Sequence, residues 1–246
     1  MDILTLLPIG IVTGIISGYF GVGGGAILVP ILLLFGVDMK SAISISILQM
    51  FMSSIYGTYL NNKKANIDFK DVGFVALGGF FGAQGSVYVI SVLSDFSLQI
   101  MLLIFLLLSI LKLNKKIKPQ EAKIDVSPLK LFLIGAPIGL FAMSVGVGGA
   151  LMLIPVLVSF FGYSTQRASI TGLLFVLFAS FSGVIGLGIS GELLIEEGLT
   201  TGLGALIGVK IGVNAIHKSS ASLHKKLLMG LYLLVMIIVL YKIISV

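Results

Sequence analysis

The chain alternates ten apolar segments with short polar stretches. They cover residues 3–20, 26–36, 41–60, 72–91 and 97–113, then 129–145, 150–161, 168–188, 198–216 and 226–245. A helix needs about 20 apolar residues to cross the hydrocarbon of a bilayer. Backbone groups in lipid must also bond within their own segment, which favours helices. The pattern therefore predicts an all-α integral membrane protein.

The second segment of each half is too short to cross a bilayer alone. Residues 26–36 and 150–161 would form helices of under about 20 Å at 1.5 Å per residue. Each follows a glycine cluster, residues 21–25 in the first half and 146–149 in the second. We therefore expect 3–36 and 129–161 to be broken helical hairpins whose glycine-rich tips lie within the membrane. The alternative is that each hairpin is one long span.

The two halves of the chain share a glycine pattern. Glycines at positions 14, 21, 23 and 24 and a proline at 30 recur at 139, 146, 148, 149 and 155. Later, Gly78 and Gly82 recur as Gly204 and Gly208 at almost the same offset. This predicts two repeats of about five segments, 1–113 and 129–246, joined by a basic linker over 114–128.

The composition is typical of a membrane-embedded protein. The protein is 57% hydrophobic and 11% charged, with a mean hydropathy of +1.16, whereas soluble domains are about 25% charged. It has no cysteine and two histidines, so a Cys/His metal site is not expected, and neither is any other cofactor. The net charge of +6 comes from lysines between apolar segments, which indicates cytoplasmic loops rather than nucleic-acid binding.

Loop charge predicts the orientation of the chain in a cell membrane. Lysines mark the 61–71 loop, the linker and the 217–226 loop as cytoplasmic, whereas the acidic 189–197 loop is expected outside. Both termini would then lie outside. An odd number of segments in each half gives the two halves opposite orientations, which is the inverted repeat of many secondary transporters.

The glycine tips predict an anion site. A short helix begins after each cluster, and the free N–H groups and dipole of a helix N-terminus attract anions. Two tips that enter from opposite faces would meet near the midplane. The expected ligands are the backbone N–H groups of Gly23, Gly24, Gly25, Gly148 and Gly149. The alternative is that these glycines only permit close helix packing.

Three polar side chains are further candidates for binding the substrate. Gln84 and Lys210 occupy matching repeat positions, each two residues after a matched glycine. An intramembrane lysine is costly and marks a functional candidate, although the Lys210 stem could instead snorkel to the cytoplasmic surface. Gln49 lies deep in the serine-rich third segment and is expected to line the pathway.

Several function classes find no support in the sequence. The deep segments carry no carboxylate, which disfavours a cation permease or a carboxylate-based proton relay. Catalytic and nucleotide-binding motifs are absent from the sequence, so an enzyme is not expected. The classes that remain are a transporter with alternating access, a channel for small anions, and a membrane scaffold without transport.

The first glycine block resembles that of the sulfite exporter TauE/SafE family, also called the toluene-sulfonate uptake permeases. The resemblance rests on Gly14, Gly18, Gly21, the run 23–25 and Pro30. The second block departs from it at Met143 and Ala150. The resemblance implies a permease of bacterial or archaeal cytoplasmic membranes. Its substrate would be sulfite, thiosulfate, sulfoacetate or another organosulfonate, whereas the N–H groups alone would equally accept a carboxylate.

Overall fold

The structure is a computed structural model that describes residues 2–65, 69–114 and 127–245, and these residues form helices joined by short loops. In the first half the helices are α1 (Ile3–Phe20), α2 (Gly25–Leu34), α3 (Met39–Ala65), α4 (Phe69–Gln84), α5 (Ser86–Val92) and α6 (Asp95–Asn114). In the second half they are α7 (Pro128–Ser144), α8 (Ala150–Phe161), α9 (Thr165–Ser190), α10 (Ile195–Ile216) and α11 (Ala221–Ile244). The all-α prediction is confirmed.

Ten apolar segments were predicted, and each corresponds to helix. The predicted 72–91 segment is divided at Gly85 into α4 and α5, although 73–92 still forms one apolar span. Six spans in the described residues are long and apolar enough to cross a membrane, whereas α1, α2, α7 and α8 are shorter apolar helices. Most of the predicted linker, residues 115–126, lies outside the described residues, as do both terminal residues.

Glycines bring α1 and α10 into backbone contact. A Cβ added at Gly14 would lie 2.3 Å from the carbonyl oxygen of Ala205, and one at Gly208 would lie 2.0 Å from that of Ile11. Gly10 and Gly18 likewise approach Thr201 and Val209. Contact positions rise together along both helices, so α1 and α10 run in the same direction. Small residues are the usual means of such close packing in membranes.

The same arrangement joins α4 and α7. The carbonyl oxygens of Val75 and Gly79 lie where a Cβ of Gly135 and Gly139 would stand, at 2.1 and 2.3 Å. These two helices are therefore also parallel. The fourth predicted segment of each half thus packs along the first segment of the other half.

The third segment of each half lies at the centre. Helix α3 packs against α9, with Gly57 beside Leu173 and Ile47 beside Gly183, so these two helices are antiparallel. Helix α3 is parallel to α10, because Leu48 lies beside Gly198 and Met52 beside Gly202. Outside this centre, α2 packs on α11 and α8 packs on α6.

Two carboxylates fix the beginning of α3. Asp38 accepts a hydrogen bond from the N–H of Ser41 at 2.9 Å, and Asp95 accepts one from the N–H of Met39 at 2.8 Å. Burial raises the pKa of Asp38, but hydrogen bonds from Ser41 and its neighbours outweigh this and leave the pKa below its ordinary value. A carboxylate at a helix N-terminus is stabilising, and it fixes the helix that carries Gln49.

The glycine contacts make a testable prediction about stability. Gly208→Ala places a methyl group against the backbone of α1 and should destabilise the protein by about 1–3 kcal/mol, as overpacking does. Gly230→Ala is the matched control, because nothing lies within 4 Å of its added Cβ and alanine is the better helix former. Thermal unfolding in detergent should show a lower Tm for the first variant only. An unchanged Tm for Gly208→Ala would contradict the close packing of α1 on α10.

Candidate site at the two glycine turns

Each broken hairpin turns at glycines with left-handed backbone. We call residues 21–24 the first glycine turn and residues 146–149 the second. Gly24 has a φ of 88° and Gly149 a φ of 82°, and each immediately precedes the short helix of its half. Residues with a side chain rarely adopt such angles. The glycines are therefore required for the turn itself, whatever else they contribute.

The two turns touch one another in the core. A Cβ on Gly25 would lie 2.2 Å from the carbonyl oxygen of Gly146. That oxygen accepts a hydrogen bond of 2.5 Å from the hydroxyl of Ser46 on α3. Met50 and Val176 both lie beside Gly23 and beside Gly148, so one side chain from α3 and one from α9 fill the space between the turns. The two turns are thus adjacent in the structure, through Gly25 and Gly146 directly and through the side chains shared by Gly23 and Gly148.

The N-terminus of α2 is buried and has free N–H groups. Its first N–H groups, those of Gly25 and Ala26, have no acceptor within the helix, whereas those of Ile27 and Leu28 bond to the carbonyl of Gly24. No acidic residue occupies its first turn, so the positive end of the helix dipole is not neutralised there. All of these residues are buried.

Gln49 supplies the second observation that points to a ligand. Its side chain is fully buried, and its amide lies against Gly24, with Nε2 2.7 Å and Oε1 3.0 Å from where a Cβ of Gly24 would stand. Neither amide atom has a hydrogen-bond partner in the part of the chain that the structure describes. A buried polar group left without a partner costs about 1–3 kcal/mol, so a bound polar ligand would compensate it.

Polar groups from α1 and α3 surround the first glycine turn. Ser53 donates a hydrogen bond of 3.0 Å to the carbonyl of Gly23, and Ser17 approaches Ser53 at 3.4 Å. The carbonyl oxygen of Thr13 lies 3.1 Å from a Cβ built on Gly24. Sequence reasoning singled out the serines of α3 but missed Thr13 and Ser17. Their spacing of four residues, which places them on one face of α1, was the available signal.

Gly149, in the second glycine turn, has apolar neighbours instead. Phe175 stands 126 positions after Gln49, and its ring lies 2.4 Å from where a Cβ of Gly149 would stand. Ile138, which corresponds to Thr13, also lies beside Gly149. Repeated backbone geometry thus carries different side chains, and the polar half of the candidate site belongs to the first turn.

Gln84 and Lys210 do not reach the glycine turns. Both side chains are exposed, Gln84 at the end of α4 and Lys210 on α10. Each follows by two residues a glycine, Gly82 or Gly208, that faces the neighbouring helix. Two residues correspond to about 200° around a helix, so their side chains lie on the opposite face. The structure therefore gives these two predicted ligands no place in the cluster.

Comparison with known proteins identifies the family. The family model described as sulfite exporter TauE/SafE matches residues 6–239. These residues include both glycine turns and the two central helices, α3 and α9. The chain belongs to the sulfite exporter TauE/SafE family. The helical fold, the apolar spans and the family together make it a multi-pass membrane transporter.

Relatives of this TauE/SafE chain carry transporter names. It is 27% identical over 210 residues to the probable membrane transporter protein YdhB of Bacillus subtilis, covering 80% of this chain and 85% of that protein. It is 28% identical over 202 residues to the probable membrane transporter protein MJ0441 of Methanocaldococcus jannaschii, covering 75% and 73%. The probable membrane transporter protein YunE of Bacillus subtilis is 23% identical over 243 residues, covering 86% and 88%. No solved structure matches the chain significantly.

The unpartnered amide of Gln49 gives a prediction about stability. Gln49→Leu removes two unsatisfied polar atoms at similar volume, so the ligand-free protein should be as stable as the native one or more stable. Ser53→Ala removes a satisfied hydrogen bond and should lower stability by about 1 kcal/mol. Thermal unfolding without added anions would compare the two. A clear loss of stability in Gln49→Leu would mean that its amide has a partner within the protein.

Proposed function

We propose that this transporter moves a small sulfur-containing oxyanion, such as sulfite, thiosulfate or an organosulfonate, by alternating access around the two glycine turns. The observation that carries the proposal is the buried, unpartnered amide of Gln49 beside the N-terminus of α2. The sulfur chemistry comes from the family, whose model is that of sulfite exporters.

The donors at the first glycine turn suit an oxyanion. The N–H groups of Gly25 and Ala26 and the amide of Gln49 are neutral, so an anion there would be held by hydrogen bonds and the helix dipole. An anion with several oxygens needs several donors, and backbone and amide donors together would meet that need. Gln84 and Lys210 remain predicted ligands, but they would have to move to reach this site.

The two halves are proposed to form an inverted repeat. Three observations support this: α1 is parallel to α10, α4 is parallel to α7, and α3 is antiparallel to α9. Each pair joins one helix from each half, and the same pairs result when the halves are exchanged. If the halves had the same orientation, the two central helices would run the same way.

Alternating access would follow from the contact between the turns. Met50 and Val176 lie between the two glycine turns and close the centre in this conformation. A movement of one hairpin, together with its partner helix, against the other would separate these side chains first on one side and then on the other. The site would thereby open to each face in turn while the helix N-terminus stays in place.

Binding is tested with three variants that share a design. Gln49→Leu, Gln84→Leu and Lys210→Met each replace a polar side chain by an apolar one of similar length. Titrations of thermal stability with thiosulfate, sulfite and sulfoacetate report affinity, because a ligand of the native state raises its Tm. We expect Gln49→Leu to weaken binding at least about tenfold, since a hydrogen bond to a charged group contributes about 1.5–3 kcal/mol.

The two other variants separate the alternatives. Native affinity in Gln84→Leu and Lys210→Met supports the site at the first glycine turn. A loss of anion affinity in these two variants alone would instead place the site on the exposed faces of α4 and α10. A Tm shift with acetate but with none of the sulfur anions would indicate a carboxylate substrate instead. No shift with any anion would reject the anion site.

Topology is tested by single cysteines, because the native chain has none. A cysteine at Glu196 should react with an impermeant maleimide added outside intact cells, whereas one at Lys218 should react only after lysis. The same orientation predicts that both termini are outside. Labelling of both positions from the same side would contradict the proposed orientation.

A further inference from the structure

We propose that His224 binds a proton and couples it to the anion, so that the protein is an anion–proton symporter. The inference rests on the proposed function and adds the coupling ion. Its basis is a buried imidazole that contacts Tyr19 and Phe20, directly before the first glycine turn, and Ser169, which packs on Gly21. Nothing in the proposed anion site itself uses this residue.

His224 is placed as a group that can gain a proton inside the protein. It lies one turn into α11 and is fully buried. Its Nε2 is 2.9 Å from the hydroxyl of Ser169 on α9, and its Nδ1 has no partner in the described part of the chain. A neutral imidazole has one nitrogen that can accept a proton, and protonation makes both nitrogens donors. A protonated His224 would therefore need a new acceptor at Nδ1.

The imidazole is connected to the first glycine turn by two routes. The rings of Tyr19 and Phe20, the last residues of α1, lie 5.1 and 5.5 Å from its ring. Its partner Ser169 packs its backbone on Gly21, where an added Cβ would lie 1.9 Å from the Ser169 carbonyl oxygen. A change of charge or position at His224 would therefore act on the turn directly.

The described surroundings of His224 offer cationic side chains and aromatic rings. Its own helix contributes Lys225 and Lys226, and α9 contributes Arg167, which stacks on the ring of Tyr163 at 4.4 Å. From α1 only Tyr19 carries a titratable group, and its hydroxyl donates to Ser219. Helix α2 has no titratable residue.

Helix α6 contributes no acidic partner near His224. Its basic residue is Lys112, which lies over the ring of Phe160, and its acidic residue is Asp95. Asp95 borders the same cavity as Lys242, at the other end of α11. Among the described residues of α1, α2, α6, α9 and α11, no carboxylate lies at the helix end near His224, so a positive imidazolium there would be balanced best by the transported anion.

This charge balance sets the direction of coupling. A proton on His224 adds positive charge beside the turn that binds the anion, so it should strengthen anion binding. By linkage, the bound anion must strengthen proton binding by the same factor. Proton and anion would then bind together, cross together and be released together on the other side, and the proton would lower the net negative charge moved by one.

The second half lacks a matching group. Leu98 and Ile43 stand 126 positions before His224 and Ser169, and both are buried. The proton site therefore lies at the same turn as Gln49. Coupling between proton and anion requires that the two ligands bind close together, as they would at this turn.

The experiment follows anion and proton in proteoliposomes. Radiolabelled thiosulfate reports uptake, and a trapped pH dye reports proton movement. For the native protein we expect thiosulfate uptake to acidify the interior and to be stimulated by an inward proton gradient. His224→Gln and His224→Leu, the latter copying Leu98, should lose both effects and keep thiosulfate exchange at equal pH. His217→Gln is the matched control and should behave like the native protein. This other histidine, at the end of α10, is hydrogen-bonded to Asn61.

Each failure has a distinct signature. Proton movement of native size in either folded His224 variant would overturn the proton site, and so would net thiosulfate uptake by the native protein without any proton movement. Alkalinisation of the interior during uptake would mean antiport and would overturn the symport. If the native protein exchanges none of thiosulfate, sulfite and sulfoacetate, the proposed function itself fails, and the coupling inference fails with it.

Discussion

The contact between two left-handed glycine turns at the centre of the bundle determines much of the structure. At Gly24 and Gly149 the backbone takes angles that suit glycine, and Gly25 lies directly against Gly146. Side chains at these positions would separate the hairpins. Because the hairpins turn here, α2 and α8 begin inside the protein, and the free N–H groups of their first turns lie at its centre.

The outer packing follows from this arrangement. Helices α1 and α7, which lead to the turns, are held by rows of glycines against α10 and α4 of the opposite half. Backbone-to-backbone packing of this kind leaves little space to adjust, so each hairpin should move together with its partner helix. A rearrangement of these two pairs would then be expected at the α3–α9 contact, where Met50 and Val176 lie between Gly23 and Gly148. The bundle thus combines stiff pairs with a centre filled by flexible and apolar side chains.

The fold was largely predictable, because glycine clusters and apolar lengths are local features. Segment bounds and the broken hairpins followed from them, and the meeting of the turns followed from the repeat. The orientation of side chains around each helix was harder to predict from the sequence. Gln84 and Lys210 attracted attention as polar residues in apolar helices, yet their distance of two residues from a packed glycine placed them on the opposite face. His224 was missed because its burial depends on α1 and α9, which are distant in sequence.

The difference between the turns could not be read from the repeat either. Gln49 and Phe175 occupy matching positions, and only the structure places both of them on the glycines before α2 and α8. The glycine before α2 therefore has the Gln49 amide beside it, whereas the glycine before α8 has the ring of Phe175. This division explains how one anion could be bound although the chain has two similar helix N-termini.

A crystal structure with selenite, which replaces the sulfur of sulfite by an anomalous scatterer, tests the central claim most directly. The account predicts an anomalous peak at the N-terminus of α2, within hydrogen-bonding distance of the Gln49 amide and the N–H of Gly25. A peak beside Lys210 or Gln84, with none at the first glycine turn, would contradict it.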